Sequence, residues 1–142
     1  MSGSAEQRVG GGSELLEKYA AGERDFQRAD LFRAHLRGAK LRGAKLRRAN
    51  MYAADLSEAQ LGSADLVAAD LTNADLAGAN LWHADLGDAN LKGANLQGAN
   101  LKGANLQGAD VTGANFKGAY YDGETAFGLG FNPTQAGLKK MG

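Results

Sequence analysis

With 142 residues, no formal net charge, 44% hydrophobic content, 21 glycines and a single proline, the chain is sized for one domain. It has no cysteine, which excludes a disulfide framework and any thiolate metal site, and its neutrality removes the global electrostatic argument for a nucleic-acid partner. No apolar run approaches the ~18 residues needed to cross a bilayer and no charged start leads into a signal-like stretch, so the cytoplasm is the expected compartment.

Residues 1–12 are rich in glycine and serine, lack a hydrophobic pattern, and read as a flexible arm. Ser13 then stands where it can cap a helix from Glu14 to about Ala21, with Gly22 as its stop. Leu15, Leu16 and Tyr19 are assigned to its buried side. Residues 13–23 are therefore expected to form a helical cap over whatever follows.

From Ala29 to Gly123 one five-residue unit, Ala-(Asp/Asn)-Leu-x-x, recurs nineteen times without insertion, and alanine holds its position from Ala29 to Ala119. On an α-helix, leucines five apart step by about 140° and smear around the cylinder. On a flat strand, an odd period sends alternate leucines to opposite faces. Only a chain that turns a corner in every repeat can aim each Ala/Leu pair at one axis. The fifth position carries the corner chemistry: Gly38, Gly43, Gly78, Gly93, Gly98, Gly103, Gly108, Gly113, Gly118 and Gly123 suit the positive φ of a type II turn. Arg33, Arg48, Ala53, Glu58 and Ala68 occupy the same slot and suggest a type I-like corner instead. A bend of about 90° per repeat gives four repeats per coil, with coils stacked at about 4.8 Å.

Residues 24–123, counting the degenerate Arg24-Asp25-Phe26-Gln27-Arg28, then make about five coils of an all-β solenoid. Residues twenty apart lie above one another, so Phe26, Leu46, Leu66, Leu86 and Leu106 form one of four interior columns. The tail, 124–142, breaks the alanine register. Phe127, Leu129 and Phe131 are expected to cover the last coil, and Asn132-Pro133 to start a short helix ending near Lys139 and Lys140.

These repeats resemble those of the pentapeptide-repeat proteins, and the flanks, Glu14-Leu15-Leu16 through Gly22-Glu23-Arg24 and Phe131-Asn132-Pro133 through Gly137-Leu138, look like those of cyanobacterial members. The resemblance implies a right-handed quadrilateral β-helix with a short N-terminal α-helical cap and a short C-terminal capping tail. It also brings the function of some members, occupation of the DNA-binding groove of DNA gyrase and protection from quinolones, into consideration.

Charge is banded along the repeats. Arg24, Arg28, Arg33, Arg37, Lys40, Arg42, Lys45, Arg47 and Arg48 cluster before Asn50, whereas Asp55, Glu58, Asp65, Asp70, Asp75, Asp85 and Asp88 follow with no intervening cation up to Asn90. Two readings compete for the acidic band: imitation of a phosphate backbone, or the ordinary use of Asp and Asn to bond backbone N–H groups near turns. The shortness of the band and the basic end weigh against mimicry. The basic band could grip nucleic acid or anionic lipid, yet only Phe32 and Tyr52 are available for base stacking, which disfavours nucleic acid. Head-to-tail self-association of the two bands is a further use, although covered ends favour a monomer. Trp82, beside His83, is outward and could anchor a protein partner.

No catalytic, cofactor or metal site is assigned. His35 and His83 fall on different columns, and His83 with Asp85 lacks a third ligand. The glycine stretches lack the Gly-Lys-Ser/Thr of a phosphate loop. The expected function is that of a non-catalytic repeat scaffold presenting a polarised outer surface to a macromolecule, with the gyrase-directed DNA mimic as the alternative.

Overall fold

The computed structural model describes residues 8–142. Within it the chain winds as a four-sided solenoid of parallel coils, and successive coils pair residues twenty apart. Side 1 runs Asp25, Lys45, Asp65, Asp85, Asn105; side 2 runs Asp30, Asn50, Asp70, Asn90, Asp110. Side 3 runs His35, Asp55, Asp75, Asn95, Asn115, and side 4 runs Lys40, Gln60, Asn80, Asn100, Tyr120. Each side is so short that a single residue per repeat bridges to its neighbours.

One repeat explains why five residues suffice. Asp70 N–H donates to Ala49 O below at 2.9 Å, and Leu71 N–H to Asn90 O above at 2.8 Å. Asn73 N–H reaches Lys92 O at 2.8 Å, and Ala74 N–H closes the corner on Leu71 O at 3.0 Å. The remaining donor, Thr72 N–H, is met by Asp70 Oδ1 at 3.0 Å. All five N–H groups of the unit thus have partners, as a packed backbone requires. The interior columns are sealed: Leu46, Leu66 and Leu86 are wholly buried, as are Leu61, Leu81 and Leu101. Alanine fits beside them because its methyl is all the space left on each level.

The corners depart from the reading of the fifth position. Arg33, Arg48, Ala53, Glu58 and Ala68 have φ of 54°, 61°, 55°, 59° and 59°, in the same left-handed region as Gly38 at 67°. They are type II corners, not type I-like ones. Each corner N–H is needed by the next coil, as at Arg48 N–H to Val67 O, 2.9 Å, so the ladder imposes one backbone shape whatever the side chain. Gly123 is the exception and has no positive φ. There the register slips by one: Asn105 pairs with Ala126 rather than with Thr125, and the spare residue is taken up where Thr125 Oγ1 donates to Leu101 O at 2.8 Å.

The ends also differ. Residues 1–7 of the expected arm lie outside the described residues, but Val9 is buried and Gly10 pairs with Asp30, so the ladder starts before residue 13. Helix α1 spans Gly12–Ala20 with Gly11, not Ser13, at its N-cap. No side chain caps the first N–H groups of α1; Glu14 Oε1 instead accepts from Gly10 N–H, just before the N-cap, at 3.1 Å. Leu15 is fully buried and Tyr19 partly so, whereas Leu16 is 38% exposed, because i and i+4 share a helix face and i+1 does not. At the other end no helix follows Pro133. Residues 133–137 make a turn ended by Gly137 at φ 91°, and Lys139–Lys140 (strand β2) extends to pair in parallel with Tyr120–Tyr121 (strand β1). Parallel pairing on side 4 outcompetes a helix too short to be stable alone. Among the described residues no helix is long and apolar enough to cross a membrane.

Candidate functional site

With no concave centre assigned, the outer surface is the candidate site, and its side chains are set by the coil. The Asp/Asn slot holds its side chain against the repeat's own backbone: Oδ1 of Asp55, Asp65, Asp70, Asp75 and Asp85 each accepts from the N–H two residues on, at 3.0 Å. These five aspartates are half-buried, while Glu58 and Asp88 at corner positions are exposed. Around the rod the acids separate. Asp65 and Asp85 stand on side 1 with Asp88 at its far corner, Asp70 on side 2, and Asp55 and Asp75 on side 3 with Glu58 at its far corner; side 4 has none.

Like charges one coil apart are moderated from outside. Asp75 Oδ1 accepts from Asn95 Nδ2 at 3.3 Å and Asp85 Oδ1 from Asn105 Nδ2 at 3.0 Å. Arg37 meets Glu58 and Arg47 meets Asp65, each at 3.1 Å, so the two bands pair where they adjoin. Asp55 carries the clearest perturbation in the band. The Ser57 hydroxyl donates to its Oδ1 at 2.6 Å and, with the Ser57 N–H, holds its carboxyl below the usual carboxylate range. Asp110 is lowered in the same way, first by the Thr112 hydroxyl. A depressed folded pKa contributes stability that is present above the unfolded value, about 3.9, and is lost as pH falls through the folded value. We expect the urea midpoint to drop as pH falls from about 4 through the lowered folded values of Asp55 and Asp110, and to drop less in Ser57→Ala/Thr112→Val. A midpoint insensitive to both acid and these substitutions would contradict the assignment.

All nine residues of the basic band are exposed. They come from every side and form a collar around the first coil and the start of the second. Arg24 is engaged internally: it donates to Tyr19 O at 3.0 Å and lies 3.7 Å from that ring's centroid, tying α1 to the rod. Arg28, Arg33, Lys40, Lys45 and Arg48 make no ion pair among the described residues. Arg28 and Arg48 occupy the same corner in successive coils.

Two aromatic features flank the collar. Phe32 and Tyr52 stack along side 2 with centroids 5.6 Å apart and planes at 12°. Trp82 is 40% exposed, meets His83 edge-on at 4.1 Å, and reaches down to Arg42, 6.0 Å from its ring. That reach crosses two coils because the intervening position is Gly62, whose lack of a side chain opens the column. The signal was in the sequence at residues 42, 62 and 82, twenty apart, but gains meaning only once the coil length is known. His83 Nε2 stands 3.8 Å from Glu124. His35 lies on side 3 of the first coil, two coils away from His83. Among the described residues no three His, Asp or Glu side chains are grouped to hold a metal ion.

Eight copies of the family described as Pentapeptide repeats match residues 25–62, 54–93 and 84–120. No curated protein matches the chain. Among solved structures, the pentapeptide repeat protein alr5209 from Nostoc PCC 7120 is 38% identical over 95% of this chain and 99% of its own, with a TM-score of 0.37. Rfr23 from Cyanothece 51142 is 30% identical over 82% of this chain and 99% of its own, TM-score 0.39. A pentapeptide repeat protein of the Arabidopsis thaliana thylakoid lumen is 30% identical over 82% and 74%, TM-score 0.41. With its repeats matched from residue 25 to residue 120, the chain belongs to the pentapeptide-repeat family and is a right-handed quadrilateral β-helix.

Proposed function

We propose that the protein is a non-catalytic scaffold whose basic collar binds a macromolecule with an acidic surface. The observation that carries this is the collar itself: exposed cations around the first coil and the start of the second, several without an internal counter-charge. Among the described residues no pocket brings a nucleophile, a base and an oxyanion donor together, and repeat surfaces suit extended contact instead. The acidic band supports DNA mimicry poorly, because its carboxylates are divided among three sides and most are occupied by their own backbone.

The test is capture from native extract with the whole chain and with Arg28→Asn/Arg33→Asn/Arg48→Asn. Asparagine removes the charge yet tolerates the left-handed corner, so the fold is kept. The expected result is a partner retained at low salt, released at about 0.5 M salt where charges are screened, and lost with the triple variant. Capture indifferent to both removes the reading. In a gyrase supercoiling assay no inhibition is expected; inhibition would favour the mimic.

A further inference from the structure

The coil ladder does not end evenly. Sides 1 and 4 continue upwards to Ala126 and to Lys139, whereas the bridges of side 2 stop at Asp110 and those of side 3 at Asn115, above which only the corner Gly118 N–H is met, by Gly137 O. One coil below, the equivalent positions donate upwards: Leu91 N–H to Asp110 O at 2.7 Å, Gly93 N–H to Thr112 O at 2.9 Å and Leu96 N–H to Asn115 O at 2.7 Å. Their successors, the N–H groups of Val111, Gly113 and Phe116, have no backbone acceptor among the described residues. The cause is the slipped register after Gly123. The tail covers side 1, then cuts across through the turn at Gly128–Phe131 and rejoins the ladder at the corner that ends side 3, where Gly118 N–H donates to Gly137 O at 3.0 Å, before pairing along side 4.

Under this unfinished edge lies a cavity of about 240 Å³. Leu106, Ala109, Val111, Phe116, Phe127 and Phe131 line it, and its rim carries Leu129, which is fully exposed between two glycines. Elsewhere in the rod that space holds the alanine and leucine of the next coil. Lys117, at the end of side 3, and Lys139 and Lys140, on side 4, are exposed and make no ion pair among the described residues. The open edge thus combines unpaired ladder donors and an apolar hole, with free positive charge beyond its side 3 end, while its own Asp110 is engaged by Lys92 at 3.5 Å.

We propose that this edge, from Ala109 to Phe116, is a docking site for an extended acidic peptide that adds the missing rung in parallel. Its carbonyls accept from Val111, Gly113 and Phe116, small and branched apolar side chains two apart turn inward to the cavity, and carboxylates turn outward towards the lysines. Main-chain bonds supply affinity and the inward side chains specificity, as in other strand additions to an open sheet edge. This does not rest on the collar and is tested separately from it.

The probe is an acetylated, amidated peptide of sequence Ala-Asp-Leu-Thr-Asn-Ala-Asp-Leu, which is residues 69–76, from sides 2 and 3 of the third coil, and stops short of the corner that Gly137 already fills. It is titrated into the isotope-labelled whole chain with amide NMR as readout. Saturable shifts at Val111, Gly113 and Phe116, with amide exchange there slowed by about tenfold, are expected. A scrambled peptide should leave them unmoved, replacing both aspartates by asparagine should weaken binding, and Ala109→Leu, which fills the cavity from below, should weaken it while preserving the rest of the spectrum. Absence of shifts at these amides at saturating peptide, or equal binding of the scrambled sequence, overturns the proposal. So does protection of the same amides in the free chain that grows with protein concentration, which would mean that a second copy covers the edge.

Discussion

Leu81→Lys is expected to unfold the middle of the rod, whereas Trp82→Lys, one residue away, is expected to cost under about 1 kcal/mol. Leu81 is wholly buried between Leu61 and Leu101, themselves wholly buried, in the side 4 column. Removing it forfeits about 1.5 to 3 kcal/mol of apolar burial, and the incoming ammonium finds no acceptor in a column of leucine and alanine. The sum is several kcal/mol against a total stability of order 5 to 15. A solenoid's stability is approximately a sum over neighbouring units, so the loss falls on the interfaces of the third coil and should split the cooperative transition. Trp82 already stands 40% in solvent, and its replacement loses its surface contacts with His83 and Arg42. Urea unfolding followed by circular dichroism measures both. Equal midpoints for the two variants would refute the assignment of inside and outside. Should Leu81→Lys fail to accumulate, Leu81→Ala is expected to cost about 2 to 5 kcal/mol and serves as the readable substitute.

What could be read from residues alone was whatever the five-residue period dictates. Coil length, interior columns and the burial of leucine and alanine follow from that period by exclusion of helix and flat strand. Features that break the period were not legible. That the alanine register ends at Glu124 could be read, but not that the ladder resumes one residue late at Ala126, which decides which sides of the last coil are roofed and therefore where the cavity lies. Asn132-Pro133 is a sound helix-start signal overruled by pairing of Lys139–Lys140 with Tyr120–Tyr121, an interaction invisible from local sequence. The charge bands were visible as bands. Their division among sides was not, because whether seven acids make one surface or three depends on each residue's place within the twenty-residue coil.

The non-glycine corners show the same conflict between local preference and ladder, and yield the second large effect. Ala53 and Ala68 sit at φ of 55° and 59°, where an L-residue is strained by its Cβ by roughly 1 to 2 kcal/mol. Glycine removes that strain but adds freedom to the unfolded chain, so the net gain is smaller, about 0.5 to 1 kcal/mol per site. Ala53→Gly/Ala68→Gly is accordingly expected to melt higher than the parent by several degrees, about 2 to 6 °C for a chain of this size. Asn73→Gly, by contrast, should be close to neutral, since asparagine already tolerates this region. Ala68→Val should move the other way by about 2 kcal/mol or more, because a β-branched side chain at positive φ is a severe outlier. Gly98→Ala isolates the backbone cost: φ is 69° and an added methyl would touch nothing within 4 Å. Differential scanning calorimetry across this set ranks the corners directly. If the double glycine variant melts lower than the parent and Ala68→Val is tolerated, the ladder does not hold those residues in the left-handed region, and glycine's recurrence at the fifth position has another cause.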